Sequence, residues 1–178
     1  MQQQVLDFWF KQLEPKDWFV YNPEVDQQIQ TQFGSLLERA AQAELFAWRD
    51  TPQGRLAEII VLDQFSRNVY RNTPQAFSQD PLALALAQEA VRLGIDKELS
   101  TIEKSFLYMP YMHSESALIH EQAVALFAQP GMENNYDFEL KHKVIIDRFG
   151  RYPHRNAILN RTSNPEEIEF LAQPNSSF

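Results

Sequence analysis

No cysteine occurs in the 178 residues, which removes disulfides, thiolate metal sites and cysteine nucleophiles together. Glycine is scarce, five residues against thirteen Phe, six Tyr and three Trp, so the chain has few flexible joints and many large apolar wedges. No apolar run approaches the ~20 residues that a membrane span needs. The opening residues hold no basic leader and include Asp7, unlike a secretory signal, and a reducing cytoplasm is the expected setting. Positive charge is short as well: 16 Lys and Arg face 24 Asp and Glu, for a net charge of −8. Phosphate backbones need a basic footprint, so nucleic acid is excluded as a bulk partner. Alternation at period two is missing, and no sheet is expected.

What is present fits an all-α fold. The composition, 44% hydrophobic and 22% charged, is that of one globular domain over 1–178, with a loose tail at 174–178. Pro is favoured at the first helical position, with Asn, Asp, Thr or Ser before it as a cap. Asn22-Pro23, Thr51-Pro52, Thr73-Pro74, Asp80-Pro81 and Asn164-Pro165 all fit. The pattern predicts helices over 3–10, 23–46, 52–70, 81–93, 101–128 with a break near Pro110, 135–149, 153–160 and 165–172. Gly94 and Gly150 stand where left-handed stops belong. Starts at 22, 51 and 80 are 29 residues apart, a spacing suited to stacked antiparallel hairpins, although the residues within the units do not repeat.

Charge is unevenly spread. Lys141 to Arg161 carries six Lys and Arg against Asp147 alone, so this segment is +5 and the rest of the chain −13. Either it docks on the protein's own acidic helices or it receives an external anion.

Several residues could carry chemistry. On helix 52–70 one face runs from Leu56, Ile59 and Ile60 into Asp63, Arg67 and Arg71, with apolar residues on the other side. A helix apolar nearly all round is buried, so Asp63 and Arg67 are expected inside as a structural ion pair or as an acid/base or anion-clamping centre. In Tyr111-Met-His-Ser-Glu115 a helical path would point His113 and Glu115 ~200° apart. One ion could not take both, and no metal site or cofactor is expected. Glu115 suits ion pairing. His142, on an apolar face, reads as a core histidine that could carry a proton if an acid lies near. Arg151, His154, Arg155 and Asn156 surround a helix start at Pro153, where free amides and guanidiniums together suit a carboxylate or phosphate. That anion could be internal: Asp63, Glu58 or Glu115.

Six blocks together resemble a known family. They are VLDFWF from Val5, RLAEIIVLDQFSRNVYR over Arg55 to Arg71, DPLALA from Asp80, FLYMPYMHSE over Phe106 to Glu115, RFGRYPHRNAILNR over Arg148 to Arg161, and PEEIEFL from Pro165. The family is the bacterial domain-of-unknown-function family 924. Ser66, where relatives commonly carry Pro, and Asn160, where Gly is usual, depart from its pattern. The resemblance implies a compact tetratricopeptide-like array of helical hairpins with a concave groove, and brings no activity or ligand. Three functions stay open. The first is a non-catalytic binding module for a small anion or peptide carboxylate. The second is an interaction scaffold using Trp9, Trp18 and Trp48 as anchors. The third is an acid/base hydrolase with a His–carboxylate pair. The oligomeric state is not indicated.

Overall fold

The computed structural model describes residues 1–174 and 176, and these form helices and turns without a strand. The helices are α1 (Gln2–Asp7), α2 (Pro23–Ala41), α3 (Pro52–Ile60), α4 (Ser66–Val69), α5 (Asp80–Arg92), α6 (Thr101–Met112), α7 (Ala117–Phe127), α8 (Glu133–Phe149) and α9 (Pro165–Leu171). No described helix is long and apolar enough to cross a membrane. The tail expected at 174–178 lies mostly outside the described residues.

Side-chain caps explain several of the helix starts. Asn22 accepts from the Glu24 amide at 3.0 Å and Thr51 from the Gly54 amide at 3.1 Å. Asn164 and Glu167 close a reciprocal box on α9, each accepting from the other's amide. Asp80 departs from the pattern, because its carboxylate makes no capping bond and turns to arginine instead. Thr73-Pro74 opens only a short 3-10 turn, Pro74–Phe77.

The successions α5 on α6, α6 on α7 and α7 on α8 place sequential helices side by side, whereas α3 packs on α1, α5 and α6. This central position follows from sequence, since every residue from Leu56 to Ser66 is buried. The main core joins Trp9, Phe8, Phe33, Phe65 and Phe106, with Phe65 5.1 Å from Phe33 and 5.7 Å from Trp9 between ring centres. Trp9 is fully inside, and Trp18 and Trp48 lean on the core half-buried, so none of the three is a freely projecting anchor. A second small cluster collects Ile145, Ile146 and Tyr152 with Phe149 and Phe170.

Four boundaries differ from those the sequence suggests. α2 stops at Ala41, before Ala43 takes a left-handed conformation at φ 57. Between α3 and α4 the chain widens into a π turn, Val61–Phe65, so 52–69 is one continuous rod with a bulge. Pro110 lies within α6, and the break falls at His113–Ser116. The helix expected over 153–160 shrinks to a 3-10 turn, Pro153–Arg155. Beyond it the chain coils back: the Arg161 amide donates to the Asn156 carbonyl and Asn160 sits at φ 54. The left-handed geometry at Asn160 explains why glycine suits that place.

Candidate functional site

The π bulge sets the site. It places Asp63 in full burial, and π bulges recur where a side chain must be re-aimed within a helix. A buried carboxylate has to be paired or neutralised, and Asp63 is heavily paired. Its Oδ1 lies 2.7 Å from His113 Nδ1 and 3.2 Å from Arg67 NH1, and its Oδ2 accepts from Gln64 Nε2 at 2.5 Å. Burial opposes its charge, but His113 and Arg67 outweigh burial and hold the carboxyl well below its ordinary range. Asp63 is therefore ionised. An ionised carboxylate only accepts, so Nδ1 of His113 carries the hydrogen.

His113 ends α6 as its C-terminal cap. Burial and the Arg67 charge lower its pKa, against the pull of Asp63, and the ring is neutral at pH 7. Nε2 then bears a lone pair, and no described residue bonds to it. Arg67 continues the network by donating to both oxygens of Asp80 at 2.8 and 3.0 Å. Asp80 in turn meets Arg155 at 3.4 Å. The chain of contacts is thus His113, Asp63, Arg67, Asp80 and Arg155, drawn from α6, the π bulge, α4, α5 and the Pro153–Arg155 turn.

This network borders a cleft of about 360 Å³, a size that suits a small molecule. Ser78, Asp80, His113, Ser114, Glu115 and Arg155 supply its polar lining, and Pro74, Phe77, Pro81, Leu84, Pro110 and Leu159 its apolar lining. A concavity of about 390 Å³ between Phe127 and Asp137 is slightly larger. Its lining holds no Lys, Arg or His, so it lacks the chemistry of the first.

Arg155 is the least satisfied cation in the cleft. Its side chain is 7% exposed, its one acceptor is the Asp80 oxygen at 3.4 Å, and its buried Nε has no partner among the described residues. Phe77 and Tyr152 both lie 4.6 Å from the guanidinium carbon, measured to their ring centres. Burial and the neighbouring Arg67 lower the pKa of Arg155 from its ordinary value.

Other expected residues go elsewhere. Glu115 lines the cleft but is occupied: it accepts from the Tyr152 amide at 2.7 Å and from Arg161 at 2.6 and 2.9 Å. Arg151 turns away to grip Glu167 at 2.7 and 2.8 Å. The anion expected at the Arg151 guanidinium is therefore an internal carboxylate, though none of the three first considered; Glu58 pairs with Arg49. Arg71 leaves the Asp63 face and binds Asp26 on α2 at 2.7 and 2.8 Å. Asn156 accepts from Arg161 and donates to Ser163, both at 3.0 Å, holding the coil in shape. His113 and Glu115 lie in the turn after Met112 and not on a helix, and both line the cleft. Among the described residues no three potential metal-binding side chains converge.

The two other expected histidines stack around Tyr152, with ring centres at 5.7 Å for His142 and 5.5 Å for His154. His142 Nδ1 donates to the Phe138 carbonyl at 2.7 Å. Burial pushes His142 down to about 3 and His154 down to about 4. His120, not among the expected site residues, is fully buried 2.6 Å from Glu139 on α8, and its Nε2 lies 2.8 Å from the Ser114 carbonyl. Burial raises the Glu139 pKa against the influence of His120.

The three blocks around Asp63, His113 and Arg155 thus meet in one place. A family model described as "Bacterial protein of unknown function (DUF924)" matches residues 5–175. The chain belongs to this family. A solved structure, that of a protein of unknown function from Agrobacterium tumefaciens, is 35% identical over 96% of both chains and superposes with a TM-score of 0.91. No curated protein matches. Membership in DUF924 carries the fold and leaves the activity unassigned, and fold by itself does not license a function.

Proposed function

We propose that the protein binds a small carboxylic acid in the cleft, with Arg155 as the anchor. The observation that carries this reading is the state of Arg155, a buried guanidinium with a single long acceptor contact and an unpartnered Nε. A buried donor without an acceptor costs roughly 1–3 kcal/mol, more when charged, and an incoming carboxylate offers two oxygens in the geometry of the guanidinium fork. Asp80 and Glu115 already place two negative charges in the lining. A monoanionic carboxylate group therefore suits the site better than a phosphate dianion. The proline and leucine walls accept an apolar body behind the carboxylate.

The test is a thermal-shift series with acetate, butyrate, glutarate, benzoate and inorganic phosphate at pH 7. The reading expects carboxylates with an apolar body to raise the melting temperature, acetate and phosphate to raise it less, and Arg155→Lys to abolish the rise while remaining folded. If no carboxylate shifts the wild type, Arg155 serves the fold alone and the proposal is wrong.

A further inference from the structure

We infer that the cleft is catalytic, with His113 acting as a general base that activates water against an ester or amide whose carboxylate is held by Arg155. This rests on the binding reading above and adds a reaction to it. Three features of the geometry point there. The His113 ring is fixed by the 2.7 Å bond from Nδ1 to Asp63, and that bond leaves the Nε2 lone pair available. The acid that fixes it is itself fully buried and held by Arg67 and Gln64, so it orients the ring without taking a proton at neutral pH. Finally, His113 is 17% exposed and lines the cleft, so water reaches it there, and no described side chain competes for Nε2.

An imidazole oriented by a carboxylate and facing a water-accessible cavity is the arrangement that general-base catalysis requires. In the step, Nε2 takes a proton from water as the water oxygen bonds to the substrate's acyl carbon. The carbon–oxygen or carbon–nitrogen bond then breaks, and the leaving group takes the proton back from the imidazolium. Water is divided across the broken bond, and His113 returns to its starting state. Asp63 is a positioning residue that also stabilises the transient imidazolium. A purely structural Asp63–His113 pair would gain nothing from leaving Nε2 open to the cleft.

The experiment measures hydrolysis of the mono-4-nitrophenyl ester of glutaric acid over pH 5–9, alongside calorimetric binding of glutarate to the same protein. The inference expects saturable turnover and a kcat/KM that climbs with pH through a transition below the ordinary histidine value. It expects His113→Gln to lose at least about 100-fold in kcat while still binding glutarate, and Arg155→Lys to raise KM more than it lowers kcat. Asp63→Asn, if folded, lowers kcat with little change in glutarate affinity, and His113→Asn gives a second probe at the same site. Should glutarate bind while wild type and His113→Gln hydrolyse the ester at equal rates, the catalytic inference is overturned and the binding reading stands. Should glutarate fail to bind, both fall.

Discussion

Acid should destabilise this protein well before its carboxylates titrate, and His142 and His154 set most of the magnitude. Both are buried neutral, at about 3 and about 4 in the folded state, against an ordinary value near 6.5 in the unfolded chain. When pH falls below ~6.5 the unfolded chain binds two protons that the native state refuses, and the lowered pKa of His113 adds to the same trend. Stability is then complete above that value and declines toward acid. Each refused proton costs ~1.4 kcal/mol per pH unit, so together the pair removes about 4 kcal/mol between pH 7.5 and 5. That is a large part of the ~5–15 kcal/mol by which domains are stable. Burial sets the sign, and the groups facing them modify it. Arg155, Arg161 and Arg67 push His154 further down, while His113 and His120 do the same for His142. Glu139 works in the opposite sense: its raised pKa adds stability that grows toward acid and offsets part of the loss. Asp63 and Glu115, held low, add their own loss only near and below ~4, outside this window. Urea titrations followed by tryptophan fluorescence at pH 7.5, 6.5, 5.5 and 5.0 read the slope directly. His142→Gln, which retains a donor for the Phe138 carbonyl, should remove about half of it. A stability flat to within about 1 kcal/mol across the range, or a slope unchanged in that variant, would refute the reasoning.

Other consequences follow from single contacts. Arg67→Met strands Asp80, which keeps only the 3.4 Å contact from Arg155, and weakens the hold on buried Asp63; the urea midpoint should report a loss of about 3 kcal/mol, and a loss under about 1 would argue against the network. Gly54→Ala puts a methyl 2.0 Å from the Trp48 carbonyl oxygen, which is backbone and cannot yield, so about 1–3 kcal/mol should disappear from the same measurement. Gly34→Ala meets only the Gln30 side-chain amide at 2.7 Å, a group free to swing aside, and should gain ~0.5–1 kcal/mol from helix propensity. Asn160→Gly relieves a left-handed residue at φ 54 and should raise the melting temperature slightly, for a gain of up to about 0.5 kcal/mol.

The fold was legible because its helix starts are written in local chemistry. Asn22, Thr51 and Asn164 cap where a side-chain oxygen precedes a proline. Burial of Asp63 was equally readable from the apolar residues flanking it, and Arg67 beside it is partly buried. What local patterns could not reveal was long-range pairing. Asp80 reads as a helix cap because it precedes Pro81, and only tertiary packing turns its carboxylate to Arg67, thirteen residues earlier. Arg151 and Arg155 look alike in sequence, four residues apart, yet one meets Glu167 from α9 and the other enters the cleft. The helix expected over 153–160 is cut short where Glu115 and Arg161 take the Tyr152 backbone just before it and Arg161 folds back onto Asn156, long-range pairing invisible to periodicity. The pairing of His120 could not be read because its partner Glu139 is nineteen residues away on another helix. The one sequence signal for it was a histidine on an otherwise apolar stripe of α7.

The arrangement of His113 is the point on which catalysis turns, and nitrogen-15 NMR of the histidine rings at pH 7 reads it most directly. One ring, assigned by its loss in His113→Gln, should show a protonated Nδ1 and a bare Nε2 whose signal moves when glutarate is added to wild type and stays still in Arg155→Lys. A ring protonated at Nε2, or one that ignores glutarate at saturating concentration, would contradict the account.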